Sequence, residues 1–121
     1  MSETPDTLLA YATVQTWVQS LERHGPLAPA ERQERLRTLA AFCDYVSQTP
    51  DAIIAACLRE TPVGTTIQAR GRRHYAGQID AFQQHTPGDR RQQVQCGSIL
   101  RSFLIHNGVM LQAGWQYRPQ C

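Results

Sequence analysis

The chain has 121 residues, 41% of them hydrophobic and 18% charged, the make-up of one folded domain and not of a disordered tail. No stretch approaches the roughly 18 uninterrupted apolar residues of a membrane span, and the opening Met1-Ser2-Glu3-Thr4-Pro5-Asp6 is no secretory signal, so a cytoplasmic protein with no membrane partner is expected. The net charge of +2 is too small to announce a nucleic-acid binder, but it is uneven: residues 61–121 hold seven Arg against Asp80 and Asp89, residues 1–60 five Arg against eight acids. That asymmetry permits a polyanionic partner.

Val14, Trp17, Val18 and Leu21 recur at i, i+3, i+4 and i+7, the stripe of a helix with one buried face. Leu8, Leu9 and Tyr11 extend it toward the N-terminus, and residues 1–7 are expected to form a mobile tail. Gly25-Pro26 stops this helix, and Pro29 opens a second one reaching Ser47. Its inner stripe is Leu36, Leu39, Ala40, Cys43 and Val46, with Phe42 and Tyr45 flanking. Thr49-Pro50-Asp51 reads as a third helix start, Thr49 the N-cap and Pro50 the first residue, with Ile53, Ile54, Cys57 and Leu58 inside.

Thr61-Pro62-Val63-Gly64-Thr65-Thr66 is read as a loop. A fourth helix is expected from Thr66 to Gln84, with Tyr75, Ile79 and Phe82 inward. Gly71 and Gly77 oppose it, each costing about 1 kcal/mol relative to Ala in a helix interior. His85-Thr86-Pro87-Gly88-Asp89 breaks the chain; a fifth helix from Asp89 to His106 then buries Ile99, Leu100, Phe103 and Leu104 and stops at Asn107-Gly108. Val109, Met110, Leu111 and Trp115 form an apolar tail expected to dock on the bundle. No segment alternates with period two, so strands are not expected. The prediction is one all-α domain over residues 1–121, a compact bundle of four to five helices.

The chemistry-bearing residues are scattered. Cys43, Cys57, Cys96 and Cys121 make no C-x-x-C pair, and the first three fall in apolar stripes, where reduced thiols act as small hydrophobes. His24, His74, His85 and His106 show no H-x-x-x-H spacing, so neither a metal nor another cofactor is expected. There is no G-x-S-x-G, P-loop or G-x-G-x-x-G motif, and Ser20, Ser47, Ser98 and Ser102 lack an evident His and Asp constellation. Tyr11, Tyr45, Tyr75 and Tyr117 receive no catalytic role, and Trp17 and Trp115 read as core.

Three segments carry a resemblance. Thr13 to Leu21 is similar to an opening F-L-x-x-L helix. Pro26-Leu27-Ala28-Pro29, followed by Leu39, Phe42, Tyr45 and Val46, resembles an L-S-P-x-T … L-x-x-F-x-x-F-L second helix. Ser98-Ile99-Leu100-Arg101-Ser102-Phe103-Leu104-Ile105-His106-Asn107-Gly108 resembles an L-S-A-L-R-S-F-Y-x-F-L-x-x-x-G run. Together they resemble the N-terminal core-binding, SAM-like domain of tyrosine recombinases of the phage-integrase type, over residues 11–115. The chain departs from that pattern at Glu31 and Arg35, where Thr and Tyr are common, and at Gln92, Gln95 and Cys96, which replace an early Thr and a basic pair.

The resemblance implies half of a clamp around double-stranded DNA at a recombination half-site. It implies no enzymatic step in this chain, the family's catalytic Arg, Lys, His and Tyr belonging to a following domain toward which residues 109–121 would lead. The implied partners are duplex DNA, the catalytic domain of the same protein and a recombinase oligomer on DNA.

Within that reading, Arg91, Gln95, Ser98 and Arg101 share one face of the fifth helix by steps of four and three, with Arg90 beside them. Such side chains grip phosphate, and Gln can read adenine bidentately. Arg32 and Arg35 on the second helix, and Arg72 and Arg73 beside Arg70 and His74 on the fourth, complete the DNA-binding candidates. The row on the fifth helix has a plainer reading as a solvated helix face, and Arg70, Arg72, Arg73 and His74 as residues that simply flank a loop. Arg32 and Arg35 have Glu31 and Glu34 to pair with, and exposed pairs contribute about 0–1 kcal/mol. The alternative function is a helical protein–protein interaction module, a recombinase remnant that no longer binds DNA, favoured by the acidic first half and the Gln and Cys replacements.

Overall fold

A computed structural model describes residues 3–110. Helices α1 (Pro5–Leu8), α2 (Ala12–Glu22), α3 (Pro29–Val46) and α4 (Pro50–Cys57) are followed by a hairpin of β1 (Leu58–Thr61) and β2 (Gly64–Ile67), then by α5 (Ala69–His85) and α6 (Arg90–His106).

Local capping explains most of these boundaries. Thr4 starts α1, its hydroxyl accepting from the Thr7 N–H while the Thr7 hydroxyl oxygen accepts from the Thr4 N–H. The segment expected as a tail therefore contains a capped turn, and Leu8 is fully buried. Pro29 opens α3 with the Glu31 carboxylate accepting from the Ala28 N–H at 3.2 Å, and Ser47, in the left-handed region at φ 58°, ends it. Thr49 caps α4 by accepting from the Ala52 N–H at 3.1 Å. Asp89 and Gln92 exchange bonds of 2.9 Å at the start of α6. At its end Gly108 takes φ 91° and the Val109 N–H reaches back to the Leu104 carbonyl at 3.0 Å.

α2 has no cap of its own. Asp51 on α4 supplies one from a distance, accepting from the Thr13 N–H at 3.1 Å and from the Thr13 hydroxyl.

The inward stripes meet in one core, with α6 packed against α2, α3 and α5 and α4 packed against α2 and α5. Trp17 is fully buried, edge-on to Phe103 at 5.4 Å, and its Nε1 donates to Ser102 Oγ at 3.1 Å. Cys43, Cys57 and Cys96 are buried free thiols, as expected. Burial pushes Cys43 up to about 12 and Cys57 up to about 11. Of the apolar tail, Val109 is buried and Met110 exposed; Leu111 and Trp115 lie outside the described residues, as do Tyr117 and Cys121.

The expectation of an all-helical chain is corrected at one place. Leu58–Thr61 and Gly64–Ile67 pair antiparallel, with Leu58 opposite Ile67 and Thr61 opposite Gly64. Leu58 thus leaves the short third helix expected from the sequence, and α5 starts at Ala69 instead of Thr66. Each strand has four residues, of which only Leu58, Thr61 and Ile67 are partly covered, too short a stretch for alternation to register. The fold is mainly α, with six helices among the described residues.

Gly71 has a packing reason to sit inside α5. A Cβ there would run into the Ala56 carbonyl, so α4 and α5 approach backbone to backbone. Gly77 faces open space.

Candidate nucleic-acid interface

α6 carries the densest set of candidate contacts. Its apolar stripe of Cys96, Ile99, Leu100, Phe103 and Leu104 turns into the core. Helical geometry leaves Arg91, Gln95 and Ser98 on the other side, all exposed, with Arg90 exposed one residue earlier. Arg91 and Gln95 also line a cleft of about 320 Å³ with Gln92 and Ile99, facing Glu34 and Thr38 of α3. Glu34 brings a negative charge to the wall opposite Arg91.

Arg101 is held apart from that row by α5. Its guanidinium lies 2.8 Å from Asp80 Oδ1 and 3.2 Å from Gln83 Oε1, in the seam between α5 and α6. Buried Gly97 leaves the room these side chains occupy, because a Cβ there would meet both Gln83 and Arg101.

The remaining candidates form two further groups. Arg32 and Arg35 are half-buried on α3, Arg35 donating to the Glu31 carbonyl at 3.3 Å. Among the described residues neither forms a salt bridge with Glu31 or Glu34. On α5, Arg72 is half-buried and donates to the Met110 carbonyl at 3.3 Å, while Arg73 is exposed.

Two clusters are not legible from spacing. Ser20 Oγ lies 2.6 Å from His106 Nδ1 across 86 residues of chain, and the His24 ring stands edge-on to His106 at 6.4 Å. Burial lowers His106 below the ordinary histidine value, assisted by His24 and Arg23. No carboxylate bonds His106 among the described residues, so the pair stops short of a catalytic triad. The second cluster is an aromatic-walled cleft of about 440 Å³ between α3 and the end of α5, lined by Arg37, Ala41, Tyr45, Phe82, His85 and Pro87. Tyr45 meets Phe82 there with ring centres 5.2 Å apart.

No three His, Cys, Asp or Glu side chains among the described residues are placed to hold a metal ion. No helix among them is long and apolar enough to cross a membrane. Fold and site together define a mainly helical domain with an arginine-bearing polar face. Comparison with protein-family models, with curated proteins and with solved structures finds no match for this chain.

Proposed function

We propose that this chain is a non-catalytic, DNA-binding helical domain of the tyrosine-recombinase core-binding type, gripping duplex DNA along α6. The observation that carries the reading is the exposed row of Arg91, Gln95 and Ser98 beside Arg90, set on a helix whose other face is locked into the core. A helix anchored in this way presents its polar side chains in fixed register. Arg90 and Arg91 would take phosphate oxygens, and Gln95 and Ser98 would face the groove. Glu34 disfavours phosphate on the α3 side of the cleft, so the backbone would pass on the outer side of α6.

A protein partner is the second reading, favoured by apolar exposure on the same helix. Val94 is 41% and Ile105 38% exposed, apolar side chains that a protein partner could cover and a phosphate backbone could not.

Fluorescence-anisotropy titration of a random duplex of about 30 base pairs, at about 50 and 200 mM salt, separates the two. DNA binding predicts an affinity that falls steeply with salt and falls further in Arg90→Ala/Arg91→Ala. Salt-insensitive or undetectable binding by the unaltered chain would sink the DNA reading in favour of a protein partner.

A further inference from the structure

The hairpin and the first turn of α5 enclose a second arginine-lined cleft. Arg59 of β1 and Arg70 of α5 line it together with Ala56, Gln68 and Gly71, in a volume of about 510 Å³. No acidic side chain is among those lining residues. Strand alternation is the reason: Glu60, next to Arg59, belongs to the other face of the hairpin, where it accepts from the Thr65 hydroxyl at 3.0 Å. Thr66 stands directly opposite Arg59 in the ladder, which puts its hydroxyl on the arginine face.

Arg59 and Arg70 are both exposed, and neither guanidinium has a hydrogen-bond or ion-pair partner among the described residues. The floor beneath them is stiff. Gly71 rests against the Ala56 carbonyl, and the Gln68 N–H donates to the Cys57 carbonyl at 2.8 Å, fastening the exit of the hairpin to the end of α4. Arg59 and Arg70 are thus carried on backbones tied together at their bases, and both side chains line the one cleft. The planar fork of each guanidinium matches the paired oxygens of a phosphate group.

We propose that this cleft is a phosphate site that holds a backbone phosphodiester of duplex DNA, a point of grip separate from the one on α6. The inference rests on the DNA-binding reading above and adds Arg59, Arg70 and the hairpin to it. Gln68 lines the cleft beside the two charges and would supply a neutral donor.

The test is an anisotropy titration of the same duplex of about 30 base pairs, over a salt series from about 50 to 200 mM. Three proteins are compared: the unaltered chain, Arg59→Gln/Arg70→Gln and Arg90→Gln/Arg91→Gln. Circular dichroism melts check that the variants fold alike. The cleft predicts that Arg59→Gln/Arg70→Gln binds about tenfold more weakly and that its slope of log affinity against log salt is shallower by about 2, one for each arginine charge removed from the DNA backbone. Unchanged affinity and slope in that variant, alongside a loss in Arg90→Gln/Arg91→Gln, overturns the cleft and leaves α6 on DNA. Weaker binding with an unchanged slope also overturns it, because the arginines would then act on shape and not on phosphate. Absence of salt-sensitive binding by the unaltered chain overturns both readings together.

Discussion

Ser20 Oγ and His106 Nδ1 meet at 2.6 Å and tie the end of α2 to the end of α6. Burial, His24 and Arg23 all lower the affinity of His106 for a proton, so the unfolded chain takes up that proton at a higher pH than the folded one. Stability from this site is complete above the ordinary histidine value of about 6.5 and declines as pH falls from there through the lowered folded value. The melting temperature should therefore hold between about pH 7 and 8 and drop below about 6.5, with a flatter profile in His106→Asn. A melting temperature that rises on acidification through that interval would contradict the assignment.

Gly71 and Gly77 lie in the same helix and should respond in opposite directions to alanine. Gly71→Ala drives a methyl group into the Ala56 carbonyl and should destabilise by about 1–3 kcal/mol, as overpacking does. Gly77→Ala meets open space and should stabilise by about 1 kcal/mol through helix propensity alone. Urea denaturation of the two variants reads both signs.

Cys43 and Cys57 should be inert in the folded protein. Their thiols are buried and pushed up to about 12 and about 11, so almost no thiolate exists at pH 8 to attack a disulfide reagent. Peptide mapping after labelling with such a reagent should find both unmodified in native protein and both modified in urea. Rapid labelling of either without denaturant would show that the core around that thiol opens easily.

Charge changes along α6 should separate grip from packing. Arg101 is engaged with Asp80 and Gln83 in a pair that is partly exposed, so Arg101→Ala should cost about 0–1 kcal/mol of stability and leave DNA affinity within about twofold. Arg91→Ala should do the reverse, weakening DNA binding and reducing the salt slope by about 1. Glu34→Gln removes the negative wall facing Arg91 and should tighten binding a few-fold at low salt. Thermal melts beside anisotropy titrations distinguish these outcomes.

What could be read from the chain alone was whatever it encodes locally. Pro29, Thr49-Pro50, Asp89 and Asn107-Gly108 each act on the peptide groups within a turn of themselves, and the helices begin and end at them. The hairpin escaped because its four-residue strands bury little beyond Leu58 and Ile67, and the β-branched run from Thr61 to Ile67 was outweighed by Pro62 and Gly64. Side-chain partners across the fold escaped for another reason. A helical wheel says that Arg101 shares a face with Ser98, but it cannot place Asp80 of another helix 2.8 Å away. The same holds for Asp51 capping α2 over 38 residues, and for Arg59, which helical spacing assigned to no face that a strand would give it.

Val63, at the hairpin apex, is 94% exposed, and Gly64 beside it takes φ 127°. Nothing in the core depends on that apex, so residues spliced in between Pro62 and Gly64 would add chiefly loop-closure entropy, about 0.6 kcal/mol for each doubling of loop length. The ladder below would keep both ends of an insert close together. The apex is thus a graft point, where a reporter, an epitope or a whole guest module would be carried without rewriting the helices that hold it.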